Sequence, residues 1–230
     1  MVAFGGAIRS AEKMFFECTS LKTLDIINLG MGYCRDTSDM FSNCRLLSIL
    51  DVGNFDTSLV ENMAGMFNGC SSLITLDVSS FNTDIVNDMS MMFAGCALLS
   101  SIDTTVFNTA AVLDFSYMFW GCENVASIDI SSFNAFNAIY TKQMFSQCSS
   151  LTHLDLSSFI TDGVHDMKAM FYKATNLICI TNLNTTAANN PGGRDSLFTD
   201  CIALVNPDIT AVSDLTDAGG ADWVNSNDCM

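Results

Sequence analysis

The pair Met-Phe returns every 26 residues, at Met14-Phe15, Met40-Phe41, Met66-Phe67, Met92-Phe93, Met118-Phe119, Met144-Phe145 and Met170-Phe171. Leu197-Phe198 follows one residue late. A cysteine lies four residues after the methionine at Cys18, Cys44, Cys70, Cys96, Cys122 and Cys148; Ala174 takes its place in the next unit and Cys201 restores it in the last. A strict period of this length belongs to chains built from stacked rungs, each burying its apolar side chains only against its neighbours. The 230 residues therefore count as about eight rungs, not as one or two globular domains.

Within a rung, Leu73, Leu76 and Val78 form the pattern L-x-x-L-x-L, repeated as Leu47, Leu50, Val52, as Leu99, Ile102, Thr104, as Val125, Ile128, Ile130, and as Leu151, Leu154, Leu156. Alternation along a strand turns these inward and the residue between them outward. A second apolar spine follows at Leu29, Phe55, Phe81, Phe107, Phe133 and Phe159. A third runs through Cys34, Val60, Val86, Val112, Ala138 and Val164, with Met63, Met89, Phe115 and Met167 before the next Met-Phe. Between spines lie turn formers: Asp56-Thr57, Asn82-Thr83, Asn108-Thr109 and Asn134-Ala135, and Gly69, Gly95 and Gly121 beside the cysteine. Asx side chains bond the backbone two residues on, and glycine takes positive φ. The Met-Phe-x-x-Cys segment reads as a single helical or 3₁₀ turn. The fold class that results is a right-handed, β-rich, leucine-rich-repeat-like solenoid with short parallel strands. At the inter-strand spacing of roughly 4.8 Å, its rungs make a rod on the order of 40 Å long.

The unit Met-Phe-x-Gly-Cys-Ser-Ser-Leu-x-x-Leu-Asp-Val-Ser-Ser-Phe-Asn-Thr at residues 66–83 resembles the bacterial surface protein 26-residue repeat, part of the BspA-like leucine-rich repeats. The resemblance spans about residues 8–210, with period, Met-Phe, Cys, Leu-Asp and Phe-Asn-Thr recurring together. It implies a surface-exposed or secreted protein whose role is adhesion or partner binding, and it brings no catalytic residue.

Composition agrees with a turn-rich chain. The acids are 21 Asp against 4 Glu, and Asp favours turns where Glu favours helix surfaces. A net charge of −16 with nine scattered basic residues argues against nucleic-acid binding. No run of 18 apolar residues exists, so no membrane insertion is expected. Met1 to Lys13 lacks the pattern of a secretory signal. The ten cysteines lack paired zinc-ligand spacing, and Ala174 in their column points to buried, apolar thiols. Cys34, Cys179 and Cys229 lie outside that column with no partner identified by spacing.

Three segments follow from the register: a partial N-terminal rung over 1–13, the solenoid over 14–208, and a C-terminal cap over 209–230 with Trp223 closing the core. Residues 181–194 read as an enlarged loop. Ile8 already falls on the Val60 column, leaving little to cover the first Phe and Leu columns, so this end is expected to dock onto another domain or chain.

Two groups are candidate ligand-binding residues. The first is the outward column Asp25, Asp51, Asp77, Asp103, Asp129 and Asp155, whose stacked like charges need an offset. Local hydroxyls such as Ser79, Ser131 and Ser157, backbone amides, a cationic partner surface, or calcium would each supply one, though a linear column encloses calcium poorly. The second is aromatic: Tyr117, Trp120, Phe136 and Tyr140 stand where other rungs place polar residues, which marks them as contact residues or as local packing over the loop. His153 and His165 sit twelve residues apart in one rung, and no nucleophile or phosphate-loop motif is present. The expected function is thus a non-enzymatic interaction or adhesion module on a cell surface or virion, binding a protein or cell-surface partner. Its alternative is a structural subunit of a viral or extracellular assembly; neither cofactor nor metal is expected.

Overall fold

The computed structural model describes residues 8–184, 193–204 and 206–210. Its rungs stack in register as a solenoid, and the most continuous inter-rung wall is the Met-Phe segment. Alternate amides of one rung donate to carbonyls of the next: Lys13 to Ser38, Phe15 to Met40, Glu17 to Ser42, and so on through Ala169 to Asp195, Phe171 to Leu197 and Lys173 to Thr199, at 2.6–3.0 Å. The residues between them close tight turns instead, as Met14 to Ala11, Phe16 to Lys13 and Cys18 to Phe15 do.

This geometry corrects the expected helical or 3₁₀ turn. Each rung places two residues in the left-handed region, four apart: Lys13 and Glu17, Asp39 and Asn43, Gly65 and Gly69, Met91 and Gly95, Tyr117 and Gly121, Gln143 and Gln147. A left-handed residue reverses the sense of the turn, so no helix propagates, and the amide is freed to point at the next rung. Beside this wall a parallel ladder of single bridges links Asp36, Asn62, Asp88, Asp114, Tyr140 and Asp166.

The L-x-x-L-x-L segments are strand-like but mostly too short to pair as strands. Regular pairing is confined to β1 (Thr23–Leu24) with β2 (Ile49–Leu50), and to β3 (His153–Asp155), β4 (Cys179–Asn184) and β5 (Asn206–Thr210), all parallel. The reason is visible at the aspartates. Paired and unpaired segments alike are cut short where the amide two residues on turns back onto the aspartate, as at Asp77, Asp103 and Asp129 and equally at Asp25, Asp51 and Asp155. Thr181 to Asn184 belong to β4 and not to the expected loop. Leu183 and Asn184 pair with Ile209 and Thr210. Ile209 and Thr210 of the expected cap belong to β5, while its remainder with Trp223, the loop over 185–192, and residues 1–7 lie outside the described residues.

The core is a set of columns. Phe15, Phe41, Phe67, Phe93, Phe119, Phe145, Phe171 and Phe198 stack with centroids 5.4–5.8 Å apart and planes within 4–11°. Phe55, Phe81 and Phe107 abut this stack from the second spine. The first rung is less enclosed: Met14 and Phe15 are half-buried and Cys18 is exposed. Polar atoms inside are matched across rungs. The Thr83 hydroxyl donates to the Asn108 carbonyl at 2.9 Å and accepts the Asn108 amide at 2.8 Å. Thr57 and Thr109 grip Asn82 and Asn134 in the same way.

Candidate functional site

The fifth rung departs from these rules twice. Ala135 replaces the threonine that clamps the next rung at Thr57, Thr83 and Thr109. Tyr140 replaces the Asp or Asn that accepts the amide two residues on, as Asp114 Oδ1 accepts Ser116 at 2.7 Å. Tyr117, just before this rung, adopts φ 62°, as Lys13, Asp39, Gly65, Met91 and Gln143 do at the same place in their rungs. Local stabilisers are absent where aromatic side chains are present.

Tyr117 and Tyr140 sit on facing stretches of adjacent rungs. The Phe115 amide donates to the Tyr140 carbonyl at 2.9 Å and the Tyr117 amide to the Lys142 carbonyl at 2.8 Å. The Lys142 ammonium lies over the Tyr117 ring, 5.6 Å from its centroid, a cation–π contact. Tyr140 is 46% exposed and Phe136 63% exposed, whereas Tyr117 and Trp120 are half-buried. Among the described residues no ring pair joins Phe136 or Trp120 to the two tyrosines. The Phe136 carbonyl instead lies where a Cβ on Gly163 would come within 3.0 Å, so glycine permits the sixth rung to close on the fifth.

Sequence reading passed over the lysines of this face. Lys142 and Lys168 occupy one column, one rung apart, with Gln143 donating to the Lys168 carbonyl at 2.9 Å. Lys173 covers the Tyr172 ring at 5.1 Å. Tyr172 itself shares the Trp120 column, with Ser146 between them, and the buried Ser146 hydroxyl has no protein partner among the described residues. The 26-residue alignment contained the signal: lysine in a column of Ser38, Ala64, Ser90 and Ser116.

The aspartate column is exposed and locally bonded. Oδ1 of Asp25, Asp51, Asp77, Asp103, Asp129 and Asp155 accepts the amide two residues on at 2.9–3.3 Å. Thr105 adds its hydroxyl to Asp103 at 2.6 Å and Thr181 its own to Asp155 at 2.9 Å. The Ser79, Thr105 and Ser131 hydroxyls, and then their amides, lower the pKa of Asp77, Asp103 and Asp129; the Ser157 amide chiefly does so for Asp155. No group of three His, Cys, Asp or Glu side chains among the described residues has a metal-holding arrangement. His153 is exposed on β3, and His165 is exposed beyond the Phe159 spine.

The cysteines face inward. Cys70, Cys96, Cys122 and Cys148 are fully buried, and each thiol donates to the phenylalanine carbonyl one rung back at 3.1–3.2 Å. Cys34 is a buried free thiol, whereas Cys179 is disulfide-bonded.

A protein-family model described as "Mycoplasma protein of unknown function, DUF285" matches residues 9–102 and again 97–210. The chain belongs to this family. The two DUF285 matches overlap over residues 97–102, and each spans several complete rungs. Three solved structures are similar. A leucine-rich repeat protein of T. pallidum shares 19% identity over 70% of this chain and 67% of its own, with a TM-score of 0.46. One from Bacteroides ovatus shares 15% over 88% and 64%, with a TM-score of 0.36. A leucine-rich cell surface protein of Faecalibacterium prausnitzii shares 19% over 88% and 76%, with a TM-score of 0.30. No curated protein matches the sequence. Among the described residues, no helix is long and apolar enough to cross a membrane.

Proposed function

We propose that this chain is a non-enzymatic protein-interaction module, displayed on a surface in an adhesion or recognition role. Its contact patch is the aromatic deviation at the fifth rung, Trp120, Phe136 and Tyr140, with Tyr117 just before it. The observation that carries the reading is the coincidence already described. The rung without a threonine clamp or an Asx cap is the rung that presents Trp120, Phe136 and Tyr140. Large aromatic side chains with a polar handle dominate the energetics of protein interfaces. The BspA-like resemblance of residues 66–83 supports surface display and adhesion in particular.

The test compares immobilised wild-type chain with Trp120→Asn, the residue found at Asn68, for capture of proteins from surface extracts. Loss of a captured protein at unchanged melting temperature supports the reading. Equal capture by both chains defeats it, and a large drop in melting temperature would make Trp120 a core residue.

A further inference from the structure

Exposed apolar side chains run along one flank of the rod. Tyr33, Leu59 and Ile85 stand in a single column, 26 residues apart. The ladder of Asp36, Asn62 and Asp88, three residues on, holds them in register. In the next two rungs that column passes to Ala111 and Asn137, and the exposed apolar residues are Leu113, Phe136 and Tyr140, within three positions of it. These six side chains are 37–65% exposed. A single exposed apolar residue is ordinary, but a stripe carried through consecutive rungs marks an interaction surface.

Carboxylates border the stripe on both sides. Asp56 and Asp84 precede it in their rungs, and Glu61, Asp88 and Asp114 follow it. The Ser58 hydroxyl, and then the Ser58 amide, lower the pKa of Asp56 and keep it charged at neutral pH. Asp88 and Asp114 each turn Oδ1 to the amide two residues on, at 2.8 and 2.7 Å. The positive groups nearby are already engaged. Arg35 pairs with Glu61, Lys142 lies over the Tyr117 ring, and the Lys168 ammonium is 3.8 Å from Asp195 Oδ2. Residues 46–141 carry ten acids and no lysine or arginine, so the middle of the stripe has a surplus of negative charge.

We propose, building on the contact patch above, that this flank docks a basic amphipathic helix of a protein partner, laid along the rod. The apolar face of the helix covers Leu59, Ile85, Leu113 and Phe136, and its lysines or arginines reach the bordering carboxylates. Charge complementarity selects the basic partner. Spacing selects the helix. Successive rings of the core Phe column lie 5.4–5.8 Å apart, close to the roughly 5.4 Å pitch of an α-helix. One helical turn can therefore face each rung, whereas alternate residues of a strand repeat at about 6.8 Å and fall out of step. Apolar anchors supply the affinity of such a contact, and the charges supply its specificity and salt dependence.

The test uses the full 230-residue chain and a synthetic helical peptide of about five turns, with leucines along one face and lysines on either side. A glutamate-for-lysine analogue controls for charge, and an analogue of the same composition in scrambled order controls for the apolar face. Fluorescence anisotropy should show saturable binding of the lysine peptide that weakens as salt rises, and none of the glutamate analogue. Ile85→Ser and Phe136→Ser should each weaken binding about ten-fold. Asp88→Asn with Asp114→Asn keeps both turn caps, as Asn62 does in its own rung, and should weaken binding about three-fold with a shallower salt dependence. Equal binding of the glutamate or scrambled analogue overturns the proposal. So does wild-type affinity in Ile85→Ser, or an unchanged salt dependence in the paired Asn variant. In the capture assay, loss with Trp120→Asn but not with Ile85→Ser keeps the aromatic patch and removes the docked helix. No loss with either variant removes both.

Discussion

The Cys96 thiol donates to the Phe67 carbonyl oxygen at 3.2 Å, across the gap between consecutive rungs. The same oxygen accepts the Cys70 amide of its own turn at 3.1 Å, so two donors share it. Cysteine in this column is therefore more than a small apolar filler. Ala174 shows that the volume alone is tolerated, and Cys96→Ala should cost about 1 kcal/mol, the worth of one ordinary hydrogen bond. Urea denaturation measures it, and an unchanged midpoint would show that neither the thiol bond nor the buried sulfur contributes.

Burial pushes the Cys96 and Cys148 thiols up to about 12. Unfolded cysteine ionises near roughly 8.5, so the folded state holds the proton more tightly. This contribution is fully present at neutral pH and is lost as pH rises from about 9 towards about 12. Melting temperature should fall across that window. Because the thiolate is the reactive form, a maleimide at pH near 8 should label exposed Cys18 and spare Cys96 until the chain unfolds. Labelling of Cys96 at native conditions would show the column to be open.

Thr83→Val keeps the shape of the side chain and removes both bonds to Asn108. An amide and a carbonyl then lose their partner, and the expected loss is about 2 kcal/mol by equilibrium unfolding. The same substitution at an exposed position such as Thr75 should change stability by less than about 0.5 kcal/mol.

Acid titration probes the aspartate column. Ser79, Thr105 and Ser131 hold the Asp77, Asp103 and Asp129 carboxyls below their ordinary pKa. A carboxylate whose folded pKa is depressed contributes above the unfolded value, near about 4, and the contribution disappears as pH falls through the folded value. Stability should decline below that pH, and less steeply in Asp103→Asn, which keeps an acceptor without a titrating group. Identical acid profiles for the two proteins would place the acid response elsewhere.

Tyr117→Gly removes a bulky residue from φ 62° and matches Gly65. Relief of backbone crowding opposes the lost Lys142 contact and the greater freedom of glycine in the unfolded chain. Melting temperature should therefore stay within a few degrees while partner capture weakens. Unchanged capture would exclude Tyr117 from the contact.

The period, the buried columns and the outward aspartates were legible because burial in a stacked rung depends only on position within it. Leu76 and Leu154 point inward for the same reason that Asp77 and Asp155 point outward. The left-handed pairs were only half legible. Gly69, Gly95 and Gly121 announce one of them, but Lys13, Asp39, Met91 and Gln143 adopt the same conformation without any residue signal. Neighbouring rungs impose it there, through amides that must reach the next carbonyl.

By itself, then, the sequence determined the length of a rung, its inward set and the rung at which aromatics replace polar residues. The tertiary structure alone decided which backbone and side-chain atoms meet across rungs. The Cys96 thiol finds the Phe67 carbonyl, Thr83 finds Asn108, and the Lys142 amide finds no acceptor within the described residues. Such partners lie 25 to 29 residues apart. A repeat pattern names the columns, but hydrogen bonds depend on the offset and turn geometry with which one rung settles on the next, and those exist only once the rungs are stacked.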